Sequence, residues 1–138
     1  MKRLFIDTNI VIDLLAKREP FYDEAARLFT LADKKKIRLS VSALTFANTN
    51  YILLQSKKPD EAKLILRKLK LIVQVLSLDE KIVALSLNDS YFNDYEDALQ
   101  YYTALENGAE AIITRNLKDF QKAKLLVMTA GQFLKGFK

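Results

Sequence analysis

Short apolar runs alternate along this chain with longer stretches whose apolar residues recur every three or four positions. The first run, Lys2 to Ile6, stops at Asp7-Thr8-Asn9, the pattern of a buried strand breaking into a helix N-terminus. Beyond Pro20, the residues Phe21, Ala25, Leu28, Phe29 and Ala32 keep helical spacing, which predicts a helix with proline in its first turn and Lys34, Lys35 and Lys36 at its end. Ile37 to Val41 reads as a second strand, after which Ser42 can cap a helix from Ala43 through Leu54. Pro59-Asp60-Glu61 opens another helix, and Leu71 to Leu76 returns to strand before Asp79 starts the next helix. The stretch Asn93 to Glu96 leads into a helix through Ala98, Leu99, Tyr102 and Leu105 that stops near Gly108, the residue type a helix C-terminus favours. Ala111 to Ile113 and Leu125 to Met128 are the last two strands, followed by a short helix through Phe133 and Leu134.

Parallel strands need crossover connections, and helices usually supply them. The alternation therefore predicts an α/β fold, a three-layer αβα sandwich around a central, mostly parallel sheet of about five strands. With three glycines, two prolines, no repeat and no linker-like stretch, residues 1–138 are expected to form a single domain.

Composition narrows the chemistry. Cysteine and histidine are both absent, which excludes disulfides, thiolate nucleophiles, Cys/His zinc sites and every triad built on an imidazole base. An enzyme made from the remaining residues relies on carboxylates, hydroxyls, Lys, Arg, Tyr or a metal held by oxygen, and oxygen-rich sites favour Mg²⁺ or Mn²⁺. Twenty-two Lys and Arg against 17 Asp and Glu leave a net charge of +5, compatible with a polyanionic partner, although a solvated surface is the simpler reading. No run approaches the ~20 apolar residues of a membrane span, and the opening reaches Asp7 too early for a secretory signal. The expectation is a soluble, cytoplasmic protein without a membrane partner.

In open α/β sheets ligands bind beyond the carboxyl ends of the strands. Three polar groups fall there: Asp7-Thr8-Asn9, Thr114-Arg115-Asn116 with Asp119, and Asp94, Glu96 and Asp97 at a helix start. Singly, each acid has the simpler reading of a helix cap or a complement to the helix dipole. Together, carboxylates gathered at one sheet edge repel one another unless a cation binds among them.

The opening Leu4-Phe5-Ile6-Asp7-Thr8-Asn9, the run Asp94-Tyr95-Glu96-Asp97-Ala98-Leu99 and the late Ile112-Ile113-Thr114-Arg115-Asn116-Leu117-Lys118-Asp119-Phe120 resemble the three landmarks of PIN domains in order and spacing. The resemblance implies a ribonuclease dependent on Mg²⁺ or Mn²⁺, commonly the toxin of a bacterial toxin–antitoxin pair. It implies Asp7, Asp97 and Asp119 as catalytic and metal-holding carboxylates, Asn116 as a further metal ligand, and Thr8, Asn9, Asn48, Asp94 and Thr114 in support. Arg115 and Lys118 are expected to flank the pocket and steer RNA phosphates; Tyr91, Tyr95, Tyr101 and Tyr102 offer stacking faces, although for most of them core or interface packing is the simpler reading. An antitoxin protein is the implied partner, and pairing of two copies through Phe21 to Ala32 and Ile52 to Leu54 is expected by the same likeness.

One position departs from the pattern. Members of the family usually carry Glu six residues past the Ser that starts the helix after the second strand, and here that residue is Asn48. Asparagine offers a carbonyl oxygen but no charge and no proton acceptor of comparable strength. Glu96 is not expected to replace the missing carboxylate, because beside Asp97 on a helix it should face another way. A PIN-like module that binds RNA or protein without cleaving is therefore the alternative. A nucleotide-binding or receiver-type domain is disfavoured, since neither a Gly-rich phosphate loop with Lys-Ser/Thr nor a G-x-G-x-x-G turn is present.

Overall fold

A computed structural model describes residues 1–137. Its strands are Lys2–Ile6 (β1), Ile37–Ser42 (β2), Val73–Leu76 (β3), Ala111–Ile113 (β4) and Leu126–Met128 (β5). The helices are Thr8–Leu15 (α1), Tyr22–Asp33 (α2), Ala43–Leu53 (α3), Pro59–Lys70 (α4), Glu80–Leu87 (α5), Tyr95–Glu106 (α6) and Ala130–Gly136 (α7), with a 3-10 turn over Leu117–Phe120. The strands form one sheet in the order β3-β2-β1-β4-β5, and all four neighbouring pairs are parallel. The expected three-layer αβα arrangement is present.

Strand periodicity divides the core between the two faces. Leu4 and Ile6 of β1 join Leu39, Val41 and Ile113 on one face, where Ala25, Leu28 and Phe29 of α2 and Phe133 of α7 cover them. Phe5 and Ile112 point the other way, under Tyr101 and Ala104 of α6 and Phe120 of the 3-10 turn. Burying each such aliphatic or aromatic side chain contributes about 1.5–3 kcal/mol, so the two apolar clusters are what hold the helices to the sheet. Among the described residues no helix is long and apolar enough to cross a membrane.

Several boundaries differ from the sequence expectation: β2 runs one residue further, to Ser42, α3 stops one residue earlier, at Leu53, and three others differ as well. The second helix begins at Tyr22, after Pro20, because the Arg18 carbonyl accepts from both Phe21 N and Tyr22 N and closes a turn there first. Strand β3 begins at Val73 because α4 runs on to Lys70 and leaves Leu71 as its exposed cap. The last strand starts one residue late, at Leu126. Gly108 follows α6 at φ 72°, a left-handed conformation that glycine adopts without steric cost.

One buried charge ties α1 to the segment after β4. Asp13 is 1% exposed, and Arg115 grips it with two hydrogen bonds, Nε to Oδ2 at 2.7 Å and a terminal guanidinium nitrogen to Oδ1 at 3.2 Å. The guanidinium also stacks on Phe21, 3.9 Å from the ring centroid, so aromatic surface shields the pair. Removing one member of such a pair strands the other charge, whereas replacing both with apolar groups is close to neutral. Arg115→Met is therefore expected to lower unfolding free energy by about 3–5 kcal/mol, and adding Asp13→Leu to return most of it, as read by chemical denaturation.

Candidate active site

Chain order reverses between β1 and β4: β2 and β3 lie to one side of β1, β4 and β5 to the other. Such a switch point opens a crevice at the carboxyl ends of the strands, and Asp7 and Thr114 are the first residues beyond those two ends. The Asp7 amide continues the ladder by donating to the Ile113 carbonyl at 2.9 Å. Its side chain caps α1, Oδ1 accepting from Thr8 N at 2.8 Å, while Oδ2 accepts from the Thr114 hydroxyl at 2.8 Å. Thr114 Oγ1 in turn accepts from Asn116 N at 3.0 Å, which turns the chain toward the 3-10 segment that carries Asp119.

Helix α6 brings a second set of acids to the same place. Asp94 is its cap, Oδ1 accepting from Glu96 N at 2.7 Å and from Asp97 N at 3.2 Å. One cleft is lined by Asp7, Thr8, Asn9, Asn48, Asp94, Glu96, Asp97, Asn116 and Asp119, with Tyr51 and Ile52 on its α3 side. An adjoining cleft shares Asp94, Asp97 and Asp119 and adds Lys118, Lys122 and Tyr91.

Of the residues singled out in the sequence, Thr114 supports Asp7 from beneath, and Lys118 lies beside the acids. Arg115 does not lie with them, since Asp13 draws its guanidinium to the opposite side of the turn. Tyr101 is buried in the core, and Tyr102 donates its hydroxyl to Asp89 at 2.8 Å, so neither presents a free face to the clefts. The expected direction of Glu96, away from Asp97 and the cleft, is corrected. Although the next residue on the helix is turned by about 100°, Glu96 has the reach to line the cleft with Asp97, and its Oε1 accepts from Asn48 Nδ2 at 2.6 Å.

A buried polar network behind the cleft went unread in the sequence. Gln100, 2% exposed, lies one turn after Asp97; its Nε2 donates to Thr8 Oγ1 and to Thr45 Oγ1, both at 3.1 Å, and its Oε1 accepts from Ser42 Oγ at 2.6 Å. Thr8 and Thr45 share a further hydrogen bond of 2.9 Å. Four elements that position the site, α1, the end of β2, α3 and α6, are thus locked together by groups whose bonding is mutually satisfied. The only signal in the sequence was a polar residue on the Asp97 face of an otherwise apolar helix stretch.

The electrostatics are those of crowded carboxylates. Burial is the main influence raising the Asp7 carboxyl above its ordinary value, with Asp119 adding to it and the Thr114, Thr8 and Gln100 contacts opposing it. Asp97 is pushed up to about 7, first by burial and then by the charges of Asp94, Asp119, Asp7 and Glu96. Among the described residues no three acids are already drawn into a ligand shell around one point. They share a cleft, and their mutual repulsion is the cost a cation would relieve.

A carboxyl raised in the folded state stabilises the protein below its unfolded value, near 3.9, and that stability is lost as pH rises through the folded value. In EDTA, the melting temperature of Asp97→Asn minus that of the wild type should therefore rise steadily between pH 4 and about pH 7. Differential scanning calorimetry across that range checks it; a flat difference would contradict the crowding.

The chain is 27% identical over 139 residues to ribonuclease VapC1 of Aquifex aeolicus (strain VF5), across 96% of this chain and 93% of that protein. Its fold is similar to a toxin–antitoxin complex from Klebsiella pneumoniae, with TM-score 0.70 and 24% identity over 92% of this chain and 97% of that one. It is also similar to VapC20 of Mycobacterium tuberculosis, described as a sarcin–ricin-loop-cleaving toxin, with TM-score 0.67 and 16% identity over 89% of this chain and 96% of that one. The family model described as PIN domain matches residues 3–118, from β1 into the turn that carries Asp119. With the greater part of its length matched, this chain belongs to the PIN domain family.

Proposed function

We propose that this protein is a ribonuclease dependent on Mg²⁺ or Mn²⁺, and the toxin member of a toxin–antitoxin pair. The observation that carries the reading is the cleft at the β1/β4 switch point, where Asp7, Asp97 and Asp119 converge without any histidine or cysteine nearby. The likeness to ribonuclease VapC1 supports the reaction class, and the toxin–antitoxin complex among the structural neighbours supports a protein antitoxin as partner.

The residues present fit a hard divalent cation. Every donor in the cleft is oxygen-bearing, and the Asp97 carboxyl, raised first by burial, is raised further by the neighbouring carboxylates that a cation would neutralise. Asp7, Asp97, Asp119 and Asn116 would hold it. Such an ion supplies a lowered pKa for water and neutralisation of charge on phosphate. The chain's own residues do the rest. The Thr114 hydroxyl and Thr8 amide fix the Asp7 carboxylate in one rotamer, so it is ready before substrate arrives. Lys118 and Lys122, beside Asp97 and Asp119, offer cationic contacts to the RNA backbone. Tyr51, 69% exposed, and Tyr91, 64% exposed, stand at the two clefts as flat faces on which unpaired bases can stack. These features favour single-stranded or looped RNA, whose bases are free to splay.

A second reading, a binding module without cleavage, draws on Asn48, which brings no charge to a position where the family usually has Glu. Purified protein and Asp7→Asn, each incubated with structured RNA in Mg²⁺, Mn²⁺ or EDTA, separate the two. Cleavage that requires the metal and falls by about 100-fold or more in Asp7→Asn is expected, since residues that merely support a metal's ligands typically cost about 10–100-fold. RNA retained in an anisotropy assay but left intact by the wild type in every metal would favour the binding module.

A further inference from the structure

We infer that Glu96 is the fourth carboxylate of this site, standing in for the charge that Asn48 lacks, and that Asn48 is the positioning residue that holds it there. The inference rests on the metal-dependent reading above. Asn48 lies on α3 and Glu96 on α6, 48 residues apart in sequence, and their side chains meet across the cleft at 2.6 Å. Both line it together with Asp7, Asp97 and Asp119.

The direction of this hydrogen bond matters. Asn48 donates through its amide, and the carboxylate of Glu96 accepts, a charge-assisted arrangement stronger than a neutral one. Glu96 is otherwise an exposed side chain on the first turn of a helix, and fixing such a side chain costs rotamer entropy. The charge-assisted bond from the Asn48 amide offsets that cost. A glutamate at position 48 would instead set two like charges at hydrogen-bond distance. Asparagine at 48 and glutamate at 96 are thus chemically matched: the carboxylate has moved from one wall of the cleft to the other, and the charge of the cleft is kept. Oε1 of Glu96 takes the amide, and Oε2 has no protein partner among the described residues, which leaves it available to a cation.

The rival account is that Glu96 only complements the dipole of α6 and tidies Asn48. Glu96→Gln separates the two, because glutamine keeps an oxygen to accept from Asn48 and removes only the charge. The experiment titrates the purified proteins with Mn²⁺ alone, reading free Mn²⁺ by electron paramagnetic resonance, for the wild type, Asp7→Asn, Glu96→Gln and the pair Asn48→Glu/Glu96→Gln. RNA cleavage and the melting temperature in EDTA accompany each. Glu96→Gln is expected to weaken Mn²⁺ binding by about tenfold or more without lowering the melting temperature. The double variant, which restores a carboxylate on α3 with an amide facing it, is expected to recover affinity to within about threefold of the wild type. Wild-type affinity in Glu96→Gln, with binding lost in Asp7→Asn, would overturn the role of Glu96 and leave the metal-dependent reading standing. A double variant no tighter than Glu96→Gln would overturn the exchange of walls. A wild type that neither binds Mn²⁺ nor cuts RNA would bring down both.

Discussion

The parallel pairing of β1 with β4 fixes where everything at the cleft can be. It ends in the bond from Asp7 N to the Ile113 carbonyl, after which both chains leave the sheet at the same level. Asp7 and Thr114 are therefore neighbours by register, and the Thr114 hydroxyl reaches the Asp7 carboxylate without either side chain leaving its strand end. The sheet's topology does the remaining work, since the reversal of strand order at β1 leaves the crevice uncovered at this point. A buried carboxylate there is costly, and the structure offsets part of that cost with two directed donors.

The helices are registered to this strand end through Gln100. A glutamine amide can donate and accept at once, so a single side chain connects Ser42 at the end of β2, Thr45 on α3 and Thr8 on α1. Asn48 is one helical position pattern away from Thr45, and Asp97 is three residues before Gln100, so the buried layer of the network aims the exposed layer of the cleft. Interlocking of this kind suits a site whose acids repel one another, because the repulsion would otherwise be relieved by helices moving apart.

Charge is segregated around the turn after β4. Arg115 is turned into the molecule by Asp13 and Phe21, which leaves Lys118 and Lys122 as the cations beside the acids. The guanidinium that adjoins the cleft in sequence thus serves the packing of α1 and α2, and the lysines on the far side of the turn face the cleft. On the proposed reading, a polyanion tracked along this edge would meet cations at the rim and carboxylates within.

How much of this was legible in the chain depended on the range of the interactions. Strands, helices and the capping roles of Asp7, Ser42 and Asp94 are written in contacts a few residues long, and the absence of cysteine and histidine limited the chemistry to oxygen ligands before any fold was known. The grouping of Asp7, Asp97 and Asp119 came from the resemblance of the three landmarks to PIN domains, since a strand end or helix start alone leaves each acid readable as a cap. What only the tertiary structure decided were side-chain destinations set by distant partners. Arg115 turned to an acid 102 residues away, and Glu96 was drawn across the cleft by an amide 48 residues away. Gln100 carried no reading in the sequence, and its role appears only where α1, α3 and β2 close around it. Helical periodicity gives the direction in which a side chain leaves the backbone; where a long one comes to rest is chosen by whichever group, brought close by the fold, can satisfy its charge.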